Sequence, residues 1–492
     1  MNDTLIERLH RACLERGAAV AVRDRERQLT YTQLWNSIVG VAAEIRRRSA
    51  AGRPVAIVAP NALEYALGWW GALAAGRTVF ELNPLEPAEK NLALLRRIAP
   101  GAVISPLDLD WNATIGSAWL SFDALFAAAT QRGETVEPAL ASDSDLACVV
   151  FTSGTTGAPK GVMLSHGNLR AVTSAILEYL PLATDDRYAL VLPLFHTYGK
   201  SVMLTTWFSG GMLIFEHEFH DIHGFVARLS QQRITAFSGV PYHINMLLQR
   251  APLAAHDLSA LRWITISGSH CRHDALLELS QRLAPARVFF MYGMTETSTR
   301  ATAVPPERLP EKPGSCGRPI RGVELRVTTD QGTDAQLGEP GALWIRGPNV
   351  MQGYWGEPEL TAQTICDGWL RTGDVAHLDH EGFLFLHGRS DDIIKSAGER
   401  VSAKEIEEVL ERHPDVAEVA VIGVPHDTLG ESVTAWIVAR HGSIDESSLR
   451  SHCAQRLSPH KIPRAFRFAV QLPKTASGKV QKGRLRIGQV EC

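Results

Sequence analysis

One stretch of the chain constrains its fold more than any other: residues 151–162, with the sequence Phe-Thr-Ser-Gly-Thr-Thr-Gly-Ala-Pro-Lys-Gly-Val. It follows a short apolar run at residues 146–150 and precedes a helical pattern that begins near Asn168. Its glycines allow the backbone N–H groups to point inward, while its hydroxyl side chains and Lys160 add donors and one positive charge. We therefore predict a strand, a phosphate-binding loop and a helix in succession.

A Walker-type phosphate loop is the first alternative to this interpretation. That loop needs a lysine followed by Ser or Thr, whereas Gly161 follows Lys160 here. A Gly/Thr/Ser surface turn that binds nothing is the second alternative. It is disfavoured because so long and specific a stretch lies between a strand pattern and a helix pattern.

The length and the charge balance of the chain limit what kind of protein it can be. With 492 residues it is too long for one simple core, so we expect two or more domains. Its 50 basic and 53 acidic residues give a net charge of −3, which offers no electrostatic case for binding nucleic acid or an anionic membrane. We expect small molecules or proteins as partners.

The cysteines and the N-terminal residues predict a cytoplasmic protein. The seven cysteines are scattered, odd in number and without a Cys-x-x-Cys pair, which favours reduced thiols. Residues 1–17 lack the apolar stretch of a signal peptide. The longest nearly apolar runs, residues 66–76 and 201–215, are shorter than the roughly 20 residues of a membrane helix, so we predict no membrane span.

Helix and strand signals alternate in the first hundred residues. Residues 30–33 form a capping-box pattern that predicts a helix with an inner face of Leu34, Ile38, Val41, Ala42 and Ile45. Apolar runs at residues 55–59 and 79–82 flank a helical stretch through Trp69 and Trp70, whose rings we expect in the core. Strand, helix and strand in this order predict a parallel sheet covered by helices. Signals at residues 106–145 are irregular and indicate no functional residue.

Two groups of histidines invite a functional interpretation. His196 lies between an aromatic residue and the loop-forming Gly199, a position where a lone histidine usually packs or faces solvent. His217, His220 and His223 stand beside acidic residues but lack the His-Glu-x-x-His spacing of a zinc site, and they lie where a strand leads into a helix. We interpret this second group as a solvated polar turn.

A candidate nucleotide site lies at residues 291–298, with the sequence Met-Tyr-Gly-Met-Thr-Glu-Thr-Ser. Tyr292 offers a flat ring for a base, and Gly293 allows close approach. Thr295 and Glu296 offer oxygens for phosphate and for a hard divalent ion. The alternative is a strand end with an exposed acid, which the motif alone leaves open.

The sequence pattern changes at residues 313–388. Short apolar runs separated by Gly, Pro and Asp predict a small β subdomain there. Within it, Gly373 and Asp374 place a carboxylate beside a glycine, a usual way to hold both hydroxyls of a ribose. The same pair is also common in turns.

The last hundred residues predict a separate α+β domain, with its boundary at Asp391. Residues 402–405 form a second capping-box pattern, and apolar runs at residues 416–424 and 433–438 predict strands. Lys479 lies on a Ser-Gly loop near the end of the chain. A lysine there is ordinarily a solvated surface charge.

Taken in order, these motifs closely resemble those of the adenylate-forming superfamily, which contains acyl-CoA synthetases, firefly luciferases and the adenylation domains of peptide synthetases. The resemblance extends from Thr30 to Lys479, and Pro-x-Phe-His-x-x-Gly at residues 193–199 is similar to the acyl-CoA synthetase branch. It implies an α/β fold. A large N-terminal domain, residues 1–390, would hold two α/β subdomains and a small β-barrel subdomain. A small mobile α+β C-terminal domain, residues 391–492, would follow.

The resemblance also implies roles for individual residues. Glu296 would bind magnesium, and Lys479 would bridge the carboxylate substrate and the α-phosphate. Together with His196 these two are the expected catalytic residues. The residues expected to bind ATP are Thr152, Ser153, Gly154, Thr155, Thr156, Gly157, Lys160, Tyr292, Gly293, Thr295, Asp374 and Arg389.

The acyl pocket is where the chain departs from the family pattern. Ser269, His270 and Cys271 stand where family members commonly carry Gly-Ala-Pro. We place His196, Ser269, His270 and Arg300 near the pocket but expect Arg300 to face solvent, because arginine is rarely buried. An inward Arg300 would favour a dicarboxylic or polar acid. Lys482 replaces a frequent family arginine, with little effect expected.

The predicted activity is ATP-dependent conversion of a carboxylic acid to an acyl-adenylate with release of pyrophosphate, followed by transfer of the acyl group to the thiol of CoA. The first step brings two anions together, so magnesium on Glu296 and the ammonium of Lys479 would neutralise charge. Lys479 would then occupy the space that the thiol needs. The resemblance therefore implies rotation of the small domain about Asp391, with Gly398 and Arg400 on the acceptor side.

The sequence also bears on other possible functions. A free-standing ligase that loads the phosphopantetheine of an acyl carrier protein is the main alternative. Amino-acid activation is disfavoured because no Asp shortly after Phe195 could hold an ammonium group, and the chain looks too short for the extra insertion of a fatty acyl-AMP ligase. An ATP-binding regulator without catalysis is disfavoured because Lys160, Glu296, Asp374 and Lys479 are all present.

Overall fold

The computed structural model describes residues 3–107, 116–130, 137–152, 159–389, 392–396, 399–426, 429–442, 444–474 and 480–486. These residues form two compact units. The larger unit holds the described residues of Met1–Thr152, Lys160–Glu324 and Arg346–Gly368, and the smaller unit holds those of Ser153–Pro159, Leu325–Ile345 and Trp369–Cys492. The predicted boundary at residue 391 lies inside the smaller unit and stays a prediction.

The first sheet of the larger unit is parallel through its centre and antiparallel at one edge. The parallel centre matches the predicted order of strand, helix and strand, because parallel neighbours need a crossover between them. In sheet order its described strands are Gly353–Tyr354, Lys160–Ser165, Leu146–Thr152, Val79–Leu82, Val55–Val58, Ala102–Ile104 and Ala118–Leu120. The helices that precede, connect or follow them in the chain are Tyr31–Arg48, Leu63–Ala74, Ala88–Ile98 and Phe122–Thr130.

The second sheet of the larger unit is also parallel through its centre, so both sheets confirm the predicted α/β class. Its described strands, in sheet order, are Ser315–Pro319, Thr302–Val304, Arg287–Tyr292, Trp263–Ile266, Ala236–Gly239, Arg187–Leu190, Met212–Phe215, Val20–Asp24 and Arg27–Thr30. The other helices of this unit are Leu5–Arg16, His166–Tyr179, Thr197–Ser209, Ile222–Gln231, Pro241–Arg250, His273–Arg282 and Pro358–Thr364. No helix in the described part of the chain is both long and apolar enough to cross a membrane.

The helix Tyr31–Arg48 shows how local sequence sets an element boundary. The Thr30 hydroxyl accepts from the backbone N–H of Gln33 at 3.2 Å, and the Gln33 side chain accepts from the N–H of Thr30 at 2.8 Å. This reciprocal capping box satisfies two N–H groups that have no partner inside the helix, as predicted. The predicted inner face is buried, and so are the rings of Trp69 and Trp70.

The irregular segment at residues 106–145 contains more structure than its sequence indicates. A short strand, Ala118–Leu120, and a helix, Phe122–Thr130, lie within it. The Ser121 hydroxyl accepts from the N–H of Ala124 at 3.1 Å and helps to start this helix. Because the strand has only 3 residues and the helix is rich in alanine, neither has a clear apolar period.

A buried ion pair joins the two sheets of the larger unit. Lys200 lies on the helix Thr197–Ser209 and pairs with Glu81 on a strand of the first sheet, and both side chains are at most 1% exposed. Tyr65 donates to Glu81 at 2.6 Å and Trp69 donates to it at 3.1 Å. The carboxylate therefore has several partners, which a charge this deeply buried requires.

We predict that Lys200→Met lowers the free energy of unfolding by about 3 kcal/mol, because it leaves the Glu81 carboxylate buried without its cation. Chemical denaturation of the two chains measures the difference. The matched double variant, Lys200→Met with Glu81→Gln, removes both charges at similar volume and should recover most of the loss. A double variant no more stable than the single one would contradict this account.

The smaller unit contains two groups of strands. Gly341–Arg346, Trp369–Leu378 and Leu384–Arg389 pair antiparallel, in the region where a β subdomain was predicted. The strands of the second group are Ile393–Ser396, Glu399–Ser402, Val416–His426, Gly430–Ala439 and Ala465–Phe468, and its helices are Ala403–Leu410, Glu446–Ala454 and Lys482–Arg486. Only half of the second predicted capping box forms. Ser402 accepts from the N–H of Glu405, but the Glu405 carboxylate instead pairs with Lys461 at 2.7 Å.

Candidate active site

The strands on both sides of the predicted phosphate loop form a hairpin. Leu146–Thr152 pairs antiparallel with Lys160–Ser165, so Thr152 lies opposite Lys160, and the Thr152 hydroxyl donates to the Lys160 carbonyl at 3.4 Å. The helix after this hairpin begins at His166 with Ser165 as its N-cap, close to the predicted start. The predicted loop residues Ser153, Gly154, Thr155, Thr156 and Gly157 lie outside the described residues, so their phosphate contacts stay predictions.

Three side chains come together beside this hairpin: Lys160, Tyr354 and Glu296. The Lys160 ammonium lies 5.5 Å from the centroid of the Tyr354 ring, and the Tyr354 hydroxyl donates to Oε1 of Glu296 at 2.9 Å. The strand Gly353–Tyr354 pairs with Lys160–Ser165 and so places the tyrosine. The arrangement joins a cation suited to phosphate with a carboxylate suited to a hard divalent ion.

The turn that carries Glu296 is strained. It follows the strand Arg287–Tyr292, and Ser298 and Thr299 have φ values of 52° and 97°. A positive φ at a β-branched residue such as Thr299 is costly and persists only where the surroundings impose it. Gly293 is required here for a further reason, because a Cβ at that position would overlap the Thr299 carbonyl oxygen.

Asn349 holds this turn from a distant part of the chain. Its side-chain amide donates to the carbonyls of Arg300 at 2.6 Å and Thr297 at 3.3 Å, and its own carbonyl accepts from the Ser298 hydroxyl at 2.8 Å. Neither Asn349 nor Tyr354 was identified from the sequence. They lie between 49 and 58 residues after their partners on the turn, and a single sequence carries no signal for such a contact.

Tyr292 and Thr295 lie at the carboxyl end of the strand Arg287–Tyr292, and both are partly exposed. Ligands of open α/β sheets bind at this end of the strands. The position is compatible with the predicted contacts of Tyr292 with adenine and of Thr295 with phosphate. Those contacts stay predictions.

His196 is the N-cap residue of the helix Thr197–Ser209, and its ring lies 4.5 Å from that of Phe195. Burial, with a smaller contribution from the Lys200 ammonium, lowers the pKa of His196 to about 4. The imidazole is therefore neutral at pH 7. It can donate or accept a hydrogen bond but supplies no positive charge. Gly199 of the same motif is required because a Cβ there would overlap the Pro193 carbonyl oxygen.

The residues predicted near the acyl pocket fall into two groups. Ser269 and His270 are exposed, just after the strand Trp263–Ile266. Arg300 is only 2% exposed, so the expectation that it faces solvent is wrong. The reason is the strained turn before it, which folds back along the strand and carries the side chain inward, a path that residue type alone does not reveal.

The histidines at positions 217, 220 and 223 lie where a strand leads into a helix, as predicted. His217 pairs with Asp24 at 2.8 Å, and the helix begins at Ile222. Among the residues that the structure describes, no group of three or more His, Cys, Asp or Glu side chains surrounds a possible metal position. A magnesium ion that accompanies a nucleotide needs no such group, because phosphates and water supply most of its ligands.

The smaller unit carries Asp374, predicted to hold the ribose, and Arg389, predicted to bind ATP. Arg389 donates to Oδ1 of Asp374 at 3.1 Å and to the Thr372 carbonyl at 3.0 Å, across the antiparallel pairing of their strands. The Asp374 side chain is largely buried, and the Arg389 side chain is half exposed. Arginine therefore fixes the orientation of the carboxylate, which suits a residue that must accept from two hydroxyls at once.

Several predicted residues of the smaller unit cannot be placed. Lys479, Asp391 and Gly398 lie outside the described residues, and the backbone of Arg400 pairs with Lys395. The chain is described again from residue 480. There the Lys482 ammonium lies 2.9 Å from Oε1 of Glu407 and 3.7 Å from Oδ2 of Asp392.

Groups suited to nucleotide chemistry thus collect at strand ends in the larger unit, as expected of an adenylate-forming enzyme. The chain belongs to the AMP-binding enzyme family: residues 9–355 match that family, and residues 405–479 match the AMP-binding enzyme C-terminal domain.

Relatives and solved structures agree with this assignment. The chain is 31% identical to a long-chain-fatty-acid–CoA ligase of Yersinia pestis, over 99% of the chain and 95% of that protein. It is 32% identical to an indoleacetate–CoA ligase of Aromatoleum aromaticum, over 95% and 94%. ATP-bound MatB from Rhodopseudomonas palustris matches with a TM-score of 0.91 at 30% identity, covering 99% of each chain. The O-succinylbenzoate coenzyme A synthetase of Bacillus subtilis, in complex with ATP and a magnesium ion, matches with a TM-score of 0.88 at 27% identity, covering 97% and 98%.

Proposed function

We propose that this chain is an AMP-forming acid–CoA ligase in which Lys160, Tyr354 and Glu296 form the centre of the adenylating site. It activates a carboxylic acid with ATP and magnesium and passes the acyl group to CoA. The contact of Tyr354 with Glu296, beside the Lys160 ammonium, carries this proposal. It joins the hairpin around the phosphate loop to the turn that bears the carboxylate.

The chemical problem of the first step is charge. The acid and the α-phosphate are both anionic, and negative charge moves onto pyrophosphate as the P–O bond breaks. Lys160 holds phosphate oxygens and Glu296 holds the magnesium ion, which offsets that charge when bound. Tyr354 fixes the Glu296 carboxylate by a hydrogen bond, so little reorganisation is needed as the charge moves.

Lys479 completes the charge balance in this proposal by holding the acid carboxylate and the α-phosphate. Asp374, oriented by Arg389, accepts from the ribose hydroxyls. His196 is neutral, so it orients the acid by hydrogen bonding and leaves the positive charge to the lysines. These roles rest on the family motifs together with the geometry of each described side chain.

For the second step we propose that the C-terminal domain, residues 391–492, turns about Asp391 and moves Lys479 away from the reaction centre. Gly398 and Arg400 then lie on the side of the entering thiol. The acyl-adenylate has a good leaving group in AMP, so the thiol can attack it without further activation of the acid.

CoA is the acceptor that the relatives support, because the proteins compared above are named as CoA ligases or synthetases or carry no acceptor in their names. The acyl carrier protein of the alternative hypothesis finds no support among them. We also propose a cytoplasmic location, for which the support is that Cys13, Cys148, Cys271, Cys316, Cys366 and Cys453 are free thiols.

Acid-dependent pyrophosphate release tests the proposal. The purified chain is incubated with ATP, magnesium and a panel of short, medium, aromatic, dicarboxylic and amino acids, each with and without CoA. We expect one class of acid to release pyrophosphate and AMP, and CoA to accelerate turnover with formation of a thioester. Release of phosphate and ADP would contradict adenylation, whereas pyrophosphate release without any effect of CoA would make a carrier protein the acceptor.

A further inference from the structure

Arg300 is a buried cation with no anion beside it among the residues that the structure describes. Its side chain is among the largest that the larger unit encloses, at 2% exposure, and Nε and Nη1 have no hydrogen-bond partner in the described part of the chain. No described carboxylate lies within ion-pair distance of it either. A guanidinium cannot shed its proton to escape burial, so a site that holds one in this state requires an explanation.

The residues around Arg300 do not neutralise it. Its guanidinium lies 4.9 Å from the centroid of the Tyr198 ring, a cation–π contact. Burial raises the pKa of Tyr198 and of Tyr179, so both phenols stay protonated and neutral. A cation–π contact offsets only part of the cost of burying an ion.

A row of hydroxyl groups continues from Tyr198 across three parallel strands. Tyr198 shares a hydrogen bond with Thr265 at 2.8 Å, Thr265 with Ser238, and Ser238 with Tyr188 at 2.7 Å. Tyr198 also belongs to an apolar cluster with Leu192 and Met291. The guanidinium therefore lies at the junction of a polar row and an apolar wall, an arrangement common in pockets that orient a small molecule.

The backbone immediately before Arg300 is strained. Ser298 and Thr299, with φ of 52° and 97°, come immediately before Arg300. Asn349 clamps the Arg300 carbonyl at 2.6 Å. Glu296, the proposed magnesium ligand, is four residues away on the same turn. The same strained turn thus positions the Glu296 carboxylate, proposed to act at the nucleotide, and the Arg300 guanidinium, which has no role in binding the nucleotide in the proposed function.

We propose that the acid activated by this chain carries a second carboxylate, and that Arg300 binds it. This inference rests on the proposed ligase function and specifies its substrate class, a dicarboxylic acid. A guanidinium presents two forks that match the two oxygens of a carboxylate, Nε with Nη2 and Nη1 with Nη2. Nε and Nη1 of Arg300, which have no partner in the described part of the chain, each belong to one of these forks. The bound substrate thereby supplies the missing anion, while its other carboxylate remains available for adenylation.

The test compares diacids with their monomethyl esters. Succinate, glutarate, adipate and isophthalate are each assayed beside the matched monoester, so size is nearly constant and only the second charge changes. For the best diacid we expect kcat/KM at least about 100-fold above that of its monoester, the ratio that a charge-assisted pair contributes. Arg300→Met should lower kcat/KM for the diacid by about the same factor and leave the monoester within a few-fold.

Two further variants separate binding from structure. Arg300→Lys keeps the charge without the fork and should retain part of the preference for the diacid. Arg287→Met removes a half-exposed arginine at the start of the strand Arg287–Tyr292, which leads into the turn before Arg300. It should change kcat/KM for neither the diacid nor the monoester. The inference is overturned if the unaltered chain uses monoester and diacid equally, or if Arg300→Met lowers both rates equally.

The outcomes also distinguish this inference from the ligase proposal. Adenylation of monocarboxylic acids alone, with all diacids inert, would overturn the role of Arg300 and leave the ligase function intact. Failure of every acid to release pyrophosphate and AMP would contradict the ligase function itself, and the role of Arg300 would fall with it. The comparison of diacid with monoester uses the unaltered chain, so it does not depend on whether any variant folds.

Discussion

Lys479→Ala is expected to lower acid-dependent pyrophosphate release by at least about 1000-fold, because adenylation loses a preorganised positive charge where two anions meet. Thioester formation from a synthetic acyl-adenylate and CoA should stay within a few-fold of the unaltered rate. The two half-reactions are measured separately, the first as pyrophosphate and the second as thioester.

Lys474→Ala is the matched control for this variant. Lys474 lies on the same segment, is partly exposed and pairs with Glu418 at 2.7 Å, so its loss should leave both half-reactions nearly unchanged. If Lys479→Ala leaves both half-reactions intact, the assignment of Lys479 is wrong. Equal loss of both would point to a damaged fold and not to a missing charge.

The proposed hinge gives the reverse pattern. Asp391→Pro fixes one backbone dihedral and should retain adenylation while thioester formation falls, whereas Asp391→Ala leaves the backbone free and should retain both. Equal loss of both half-reactions in the proline variant would count against rotation about Asp391.

Glu296→Gln is expected to lower adenylation by about 1000-fold at fixed magnesium, because several kcal/mol of charge stabilisation depend on the ion that this carboxylate holds. Glutamine keeps the volume and can still accept from the Tyr354 hydroxyl, so the turn should remain folded. Initial rates are measured over a range of magnesium concentrations. The magnesium concentration needed for the half-maximal rate should rise sharply.

Tyr354→Phe is the matched control for the carboxylate. It removes only the hydrogen bond to Glu296 and leaves the ring beside Lys160, so adenylation should fall by about 10-fold with a small change in the magnesium requirement. An unchanged magnesium requirement in Glu296→Gln would show that this carboxylate is not the ligand of the ion.

Local patterns in the sequence predict much of this fold. The helix at Tyr31–Arg48 follows from its capping box and its apolar face, and the buried Trp69 and Trp70 follow from their place between two apolar runs. Both signals arise from residues within a few positions of each other, where chain geometry is nearly fixed. The strand Ala118–Leu120 was missed because three residues are too few to show a period.

The residues of the candidate active site also fall into those that local sequence identifies and those that it does not. Lys160, Glu296 and Asp374 stand in contiguous motifs and could be identified by their neighbours in the chain. Tyr354 and Asn349 could not, because their partners lie far away in sequence. Arg300 was expected in solvent because that is the general tendency of arginine. The strained turn that reverses this expectation depends on Asn349, and so on contacts that no local pattern contains.

The buried pair of Lys200 with Glu81 has a consequence for engineering. The helix Thr197–Ser209 carries Tyr198, which contacts the guanidinium proposed to select the acid. Two positions later it carries Lys200, whose charge is paired with Glu81 on a strand of the other sheet. A chimera that imports this helix from a protein without a lysine at position 200 would leave the Glu81 carboxylate buried without its cation. Any exchange of this helix that removes Lys200 must therefore change residue 81 as well.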